Sequence, residues 1–247
     1  MALTTNLVSY YKLDEASGNR SDSHGSNTLT DNNTVGSATG VINNAADFEK
    51  DNVEYLSRAG TGLFNFGGAD FSINLWFNAE TTIGGPALIG KDTAGANRQW
   101  VVQLDWNNAN VSVFLFINDS TYFGRRIPNS SLSVSTPYMV TVTRSVSTFK
   151  IYLNGSDQTL TDVGNSAIGT IQDTTTEFRI GVFANDTGPF DGLIDEVGIW
   201  TRALTGQEVT DLYNSGTGLS YDNFGAGGGG ASRAVTRRGR AMMGVGR

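Results

Sequence analysis

The stretch from Gly192 to Asn214, GLIDEVGIWTRALTGQEVTDLYN, limits most strongly what this chain can fold into. Simple alternation from Leu193 to Trp200 puts Leu193, Val197 and Ile199 on one face and Ile194 and Trp200 on the other, so both faces are largely apolar. That pattern fits an inner strand of stacked sheets better than an edge strand with one wet face. Asp195 and Glu196 break it, and as neighbours on a strand they are expected to point to opposite faces. A helix follows at once. Thr205 and Glu208 have the spacing of a capping box, in which each side chain satisfies a backbone N–H at the helix start, and Val209, Leu212 and Tyr213 form its apolar stripe.

Upstream, short apolar runs separated by polar turns predict many more strands. They are expected at 7–13, 48–56, 71–79, 86–91, 100–105, 110–117, 121–127, 138–146, 148–153 and 177–183. In the run 71–79, Phe71, Ile73, Leu75 and Phe77 share one face with Trp76 opposite, which reads as core. Asn154-Gly155 supplies a turn that needs positive φ. Residues 19–35 and 161–176 read as polar loops. With 31 glycines, only 4 prolines and no cysteine, the chain suits many tight turns and must be held by packing rather than disulfides. The amino terminus lacks the basic start and apolar run of a signal peptide, so synthesis in the cytoplasm is expected, with secretion as the alternative. No run reaches the roughly 18 apolar residues of a membrane span.

These landmarks resemble the laminin-G-like, concanavalin A-like jelly-roll family. Ile194-Asp195-Glu196-Val197, Arg202-Ala203-Leu204-Thr205 and Leu212-Tyr213 match its closing strand and helix. Tyr11-Lys12-Leu13-Asp14-Glu15 with Gly18, Asp22-Ser23-His24-Gly25, Ala46-Asp47-Phe48, Phe71 to Phe77, Leu88 to Lys91 and Ile151 to Gly155 match earlier ones in order, with His24 where the family usually has Ser. The resemblance implies an all-β, two-sheet antiparallel jelly-roll sandwich over residues 1–222, with one short C-terminal helix. Residues 223–247 are then a Gly-rich linker and an Arg-rich tail.

Three kinds of site are candidates. A calcium ion suits the polar loop: Asp22 occupies the matched family position, and Asp195 is a possible distant ligand because an unpaired carboxylate on an apolar strand costs several kcal/mol. A salt bridge or backbone hydrogen bonds would serve Asp195 as well. A glycan groove could be lined by Trp100, Trp106 and Tyr122 beside Asp105, Asn107 and Asn108, since sugars take flat rings against their C–H faces and amides or carboxylates against their hydroxyls. Core packing is the competing role for those rings. The third candidate is the tail, where Arg233, Arg237, Arg238, Arg240 and Arg247 stand with no acid, while all 24 acids lie at or before Asp222. A cationic arm on an acidic body is expected to grip an acidic partner surface. Specific nucleic-acid readout is disfavoured by so few charges.

Some relatives of this fold cleave polysaccharides, but their E-x-D-x-(x)-E arrangement is absent, and the single histidine and missing cysteine leave little for other hydrolytic chemistry. The sequence therefore favours a non-catalytic structural protein, a virion or phage surface component anchored to its neighbours by the tail. The alternative is a carbohydrate-binding module, calcium-assisted or not, with a glycoside hydrolase a third reading.

Overall fold

The computed structural model describes residues 2–60, 62–81, 84–105, 110–128, 132–146 and 148–225. One antiparallel sheet contains β1 (Leu7–Tyr11), β3 (Gly36–Thr39), β4 (Asn44–Phe48), β6 (Phe71–Ala79), β11 (Tyr138–Ser145), β12 (Thr148–Leu153), β13 (Ser156–Asp157) and β16 (Gly192–Trp200). The other contains β2 (Thr30–Asn32), β5 (Tyr55–Arg58), β7 (Ala87–Lys91), β8 (Trp100–Leu104), β9 (Val111–Asn118), β10 (Thr121–Arg126), β14 (Thr161–Asp162) and β15 (Phe178–Ile180). The main core lies between them. Phe71, Ile73, Leu75 and Phe77 face it from the first sheet, and Trp100, Val102, Leu104 and Val113 from the second.

β16 is an inner strand, as its apolar run requires. It pairs with β6 along one side, and on the other with β4 over Gly192–Ile194 and then with β1 over Val197–Trp200. The partner changes at a bulge between Asp195 and Gly198, where Glu196 takes a positive φ of 51°. An extra residue in the strand reverses the alternation beyond it. Ile194, Val197 and Ile199 consequently all face the main core, which corrects the faces expected from simple alternation.

Two other expectations change. Residues 48–56 are not one strand: Phe48 ends β4 in the first sheet, a short 3-10 turn Lys50–Asn52 follows, and Tyr55 begins β5 in the second. The Glu54 carboxylate holds that corner by accepting hydrogen bonds from the Glu49 N–H at 3.1 Å and the Asn52 amide at 3.0 Å. The loop 19–35 contributes β2, and the loop 161–176 contributes β14, so each adds an edge strand.

α1 (Gly206–Tyr213) opens on the expected capping box, with Thr205 accepting from the Glu208 N–H and Glu208 accepting from the Thr205 N–H. Glu208 also accepts from both Nη groups of Arg202 at 2.8 Å, while Arg202 Nε donates to the Thr5 carbonyl. Val209 and Leu212 pack, with Phe224, on Trp76, Trp200 and Tyr10. Part of the outer face of the first sheet is thereby covered, while among the described residues no α-helix packs on the second sheet. No helix among the described residues is long and apolar enough to cross a membrane.

Candidate functional site

The uncovered face of the second sheet follows from strand parity. Since Trp100, Val102 and Leu104 of β8 point into the core, Val101 and Gln103 point outward. β9 and β10 add Phe114, Phe116 and Tyr122 to the same face. Phe114 and Tyr122 are half-buried and meet edge to face with centroids 5.6 Å apart. Arg98 lies over the Phe116 ring at 3.8 Å and is held there by Asp92, which accepts from Nε at 2.7 Å and from Nη2 at 2.8 Å.

At one end of this face the segment 183–189 walls a cleft of about 550 Å³, lined among others by Gln103, Phe183, Thr187, Gly188 and Pro189. The Gln103 amide is half-buried and makes no hydrogen bond among the described residues. Gly188, at φ 58°, lets this wall close, because a Cβ there would stand 2.8 Å from the Phe183 ring and 3.0 Å from the Gly85 carbonyl oxygen. The largely buried Phe183 ring, the planar Gln103 amide and the half-buried rings of Phe114 and Tyr122, with the cleft's Lys50 neutralised by Asp191 at 3.0 Å, can hold a neutral, hydroxyl-rich ligand.

The expected groove residues separate. Trp100 is fully buried, its indole N–H donating to the Phe64 carbonyl at 3.0 Å; it belongs to the core, because its strand parity turns it inward. Tyr122 is on the open face. Asp105 lies two residues beyond Gln103 on the same face, accepting from Arg126 at 3.0 Å and from the hydroxyl of Ser112, the residue that pairs in register with both Gln103 and Arg126. Arg126 is four residues along β10 from Tyr122, about 13 Å at the rise of a strand. Trp106, Asn107 and Asn108 fall outside the described residues, as do the five tail arginines. Gln103 and Phe183 escaped the sequence reading. The signal for Gln103 was a lone amide in the apolar run WVVQL, three residues from a core tryptophan.

The carboxylates expected to bind calcium have different partners. Asp22 accepts backbone N–H groups from Tyr10 at 3.0 Å, His24 at 3.0 Å, Gly25 at 2.8 Å and Asn27 at 3.1 Å. Burial opposes its ionisation, but the N–H groups of Gly25, Tyr10 and Asn27 outweigh that and hold its pKa below the ordinary value. This is a cradle for an anion. Asp195 Oδ2 accepts from the Val41 N–H at 2.8 Å and the Ile42 N–H at 3.1 Å, and Glu196 Oε2 accepts from the Tyr10 hydroxyl. Asp195 Oδ1 and Glu196 Oε1 have no hydrogen-bond partner among the described residues. Asp22 and Asp195 thus both hold backbone N–H groups, and among the described residues no group of three or more His, Cys, Asp or Glu is placed to hold a metal ion.

The bulge also changes what Asp195 and Glu196 face. Asp195 lines a cavity with Trp76, and Glu196 meets Tyr10, so both carboxylates lie on the outer side of the first sheet rather than on opposite faces. Burial, reinforced by nearby negative charge, pushes Asp195 up to about 7 and Glu196 up to about 8.

Solved structures with the same architecture include the binding domain of Paraclostridial Mosquitocidal Protein 1, 18% identical with a TM-score of 0.69, over 86% of this chain and 53% of that one. Domain 4 of a GH43 extracellular arabinanase from Geobacillus stearothermophilus, solved in complex with arabinotriose, is 23% identical with a TM-score of 0.61, over 83% of this chain and 97% of that one. The botulinum neurotoxin serotype D binding domain is 14% identical with a TM-score of 0.64, over 86% and 52%. The chain thus spans about half the length of the two toxin domains. No curated protein sequence matches it. The sequence profile of the concanavalin A-like lectin/glucanases superfamily does match, over residues 51–210, and with the two-sheet sandwich those residues help to build, the chain belongs to that superfamily.

Proposed function

We propose that this chain is a non-catalytic binding domain that takes a neutral oligosaccharide on the open face of its second sheet. The observation that carries the reading is the unpartnered Gln103 amide beside Phe183 in the end cleft, continuous with the half-exposed Phe114 and Tyr122. The rings would stack on sugar C–H faces, and Gln103 and Thr187 would hydrogen-bond hydroxyls. The arabinotriose complex of a domain with this fold supports the choice of ligand class. The carboxylates Asp195 and Glu196 lie on the other sheet and take no part. The test is a glycan array probed with the intact chain and with a Gln103→Ala/Phe183→Ala variant. Selective binding by the parent and its loss in the folded variant support the site; equal binding by both places the ligand elsewhere.

The cationic segment carrying Arg233, Arg237, Arg238, Arg240 and Arg247 supports a second element of the proposal: attachment of the domain to an acidic surface of a large particle such as a virion, which would display it. Replacing Arg237, Arg238 and Arg240 by alanine should then release the protein from the particle fraction of a density gradient. Continued co-migration would sink the anchoring role.

A further inference from the structure

The outer face of the first sheet holds a second cavity, of about 320 Å³, between β4, β6 and β16 and the turn that follows α1. Its walls are apolar, with Trp76, Val41, Leu193 and Pro137 among them. Two residues of that lining each keep an acceptor oxygen with no partner among the described residues: Asn78 Oδ1 and Asp195 Oδ1. Asp195 is only 2% exposed, and its other oxygen is fixed by the Val41 and Ile42 N–H groups, so the carboxylate cannot turn to find a partner without losing both bonds. Among the described residues no lysine, arginine or histidine lines the cavity. Gly216 and Thr217 close it from the carbonyl end of α1, where backbone dipoles favour positive charge.

A buried acceptor left unmade is costly, and water is the simplest remedy. Here the space exceeds the roughly 30 Å³ that one water takes in the liquid about tenfold, and most of the wall offers water nothing. We infer that this cavity is a binding site for a small primary ammonium compound with an apolar body. The ammonium would donate to Asp195 Oδ1 and Asn78 Oδ1, and the body would lie against Trp76 and Leu193. Trp76 is held for this by stacking on Tyr213, with centroids 5.6 Å apart and planes 18° off parallel. The site is on the opposite sheet from the proposed glycan face and stands or falls without it.

The experiment titrates the intact chain with 2-phenylethylamine and, separately, with its neutral counterpart 2-phenylethanol, by calorimetry at mildly alkaline pH. The amine should bind at least about tenfold more tightly than the alcohol, and Asp195→Asn, which keeps an oxygen for the Val41 and Ile42 N–H groups, should remove that preference. Thr217→Trp, an exposed change at the mouth, should block both probes while leaving Asp195 untouched, and it decides the matter if Asp195→Asn does not fold. Binding of neither probe, which would leave the cavity to water alone, or equal binding of both that survives Thr217→Trp, overturns the assignment.

Discussion

Replacing Glu196 by glutamine should stabilise the protein by an amount that grows with pH. The Glu196 side chain is 2% exposed, receives one hydrogen bond from the Tyr10 hydroxyl, and keeps an oxygen without a partner among the described residues. Burial raises its pKa from 4.5 to about 8, so between those values the folded chain holds a proton that the unfolded chain has released. Stability therefore falls as pH rises through this window, by about 1.4 kcal/mol per pH unit for one such group. At pH 7 the accumulated cost is about 3 kcal/mol, set by the roughly 2.5 units separating pH 7 from the ordinary value. Glutamine is neutral at every pH, and its carbonyl oxygen can still accept from Tyr10. The variant should match the parent near pH 5 to within about 1 kcal/mol and exceed it by about 2 to 3 kcal/mol at pH 7. Urea unfolding followed by tryptophan fluorescence at several pH values measures the gap. A difference that stays constant from pH 5 to about pH 8 would refute the claim that Glu196 is protonated in the fold.

Trp100→Ala should cost about 3 to 5 kcal/mol, since a fully buried indole leaves a cavity; a drop in glycan binding without loss of stability would contradict its place in the core. Glu208→Ala should cost about 3 to 5 kcal/mol by leaving the largely buried Arg202 without its carboxylate partner and removing half of the capping box of α1, read from the urea midpoint. Adding calcium or a chelator should leave the melting temperature unchanged within about 1 °C, because Asp22 already accepts four backbone N–H groups; a rise of several degrees with calcium would contradict this.

What could be read from the sequence was what depends on local pattern. The inner strand β16, the Thr205 and Glu208 capping box and the core face of β6 follow from apolar spacing and side-chain chemistry within a few residues. Asn154 and Gly155 both take the positive φ that their turn demanded, at 51° and 77°. What could not be read depends on pairing across the sheet. The bulge at Asp195 and Glu196 exists because β16 changes neighbour from β4 to β1 there, and alternation within one strand carries no trace of that. The same holds for Trp100. An indole next to Val101 reads equally well inward or outward until the register of β8 against β9 turns it to the core and sends Gln103 to the open face. Phe183 sits in a loop, and only the wall made with Gly188 turns it into part of a cleft.

The most direct test of the account is an NMR titration of the isotopically labelled intact chain with an oligosaccharide selected on the array, arabinotriose being the first to try. The account predicts shift changes concentrated on Gln103, Phe114, Tyr122 and Phe183, with the residues around Asp195 unmoved. Changes confined to the first sheet, or none with any glycan that the array retains, would contradict it.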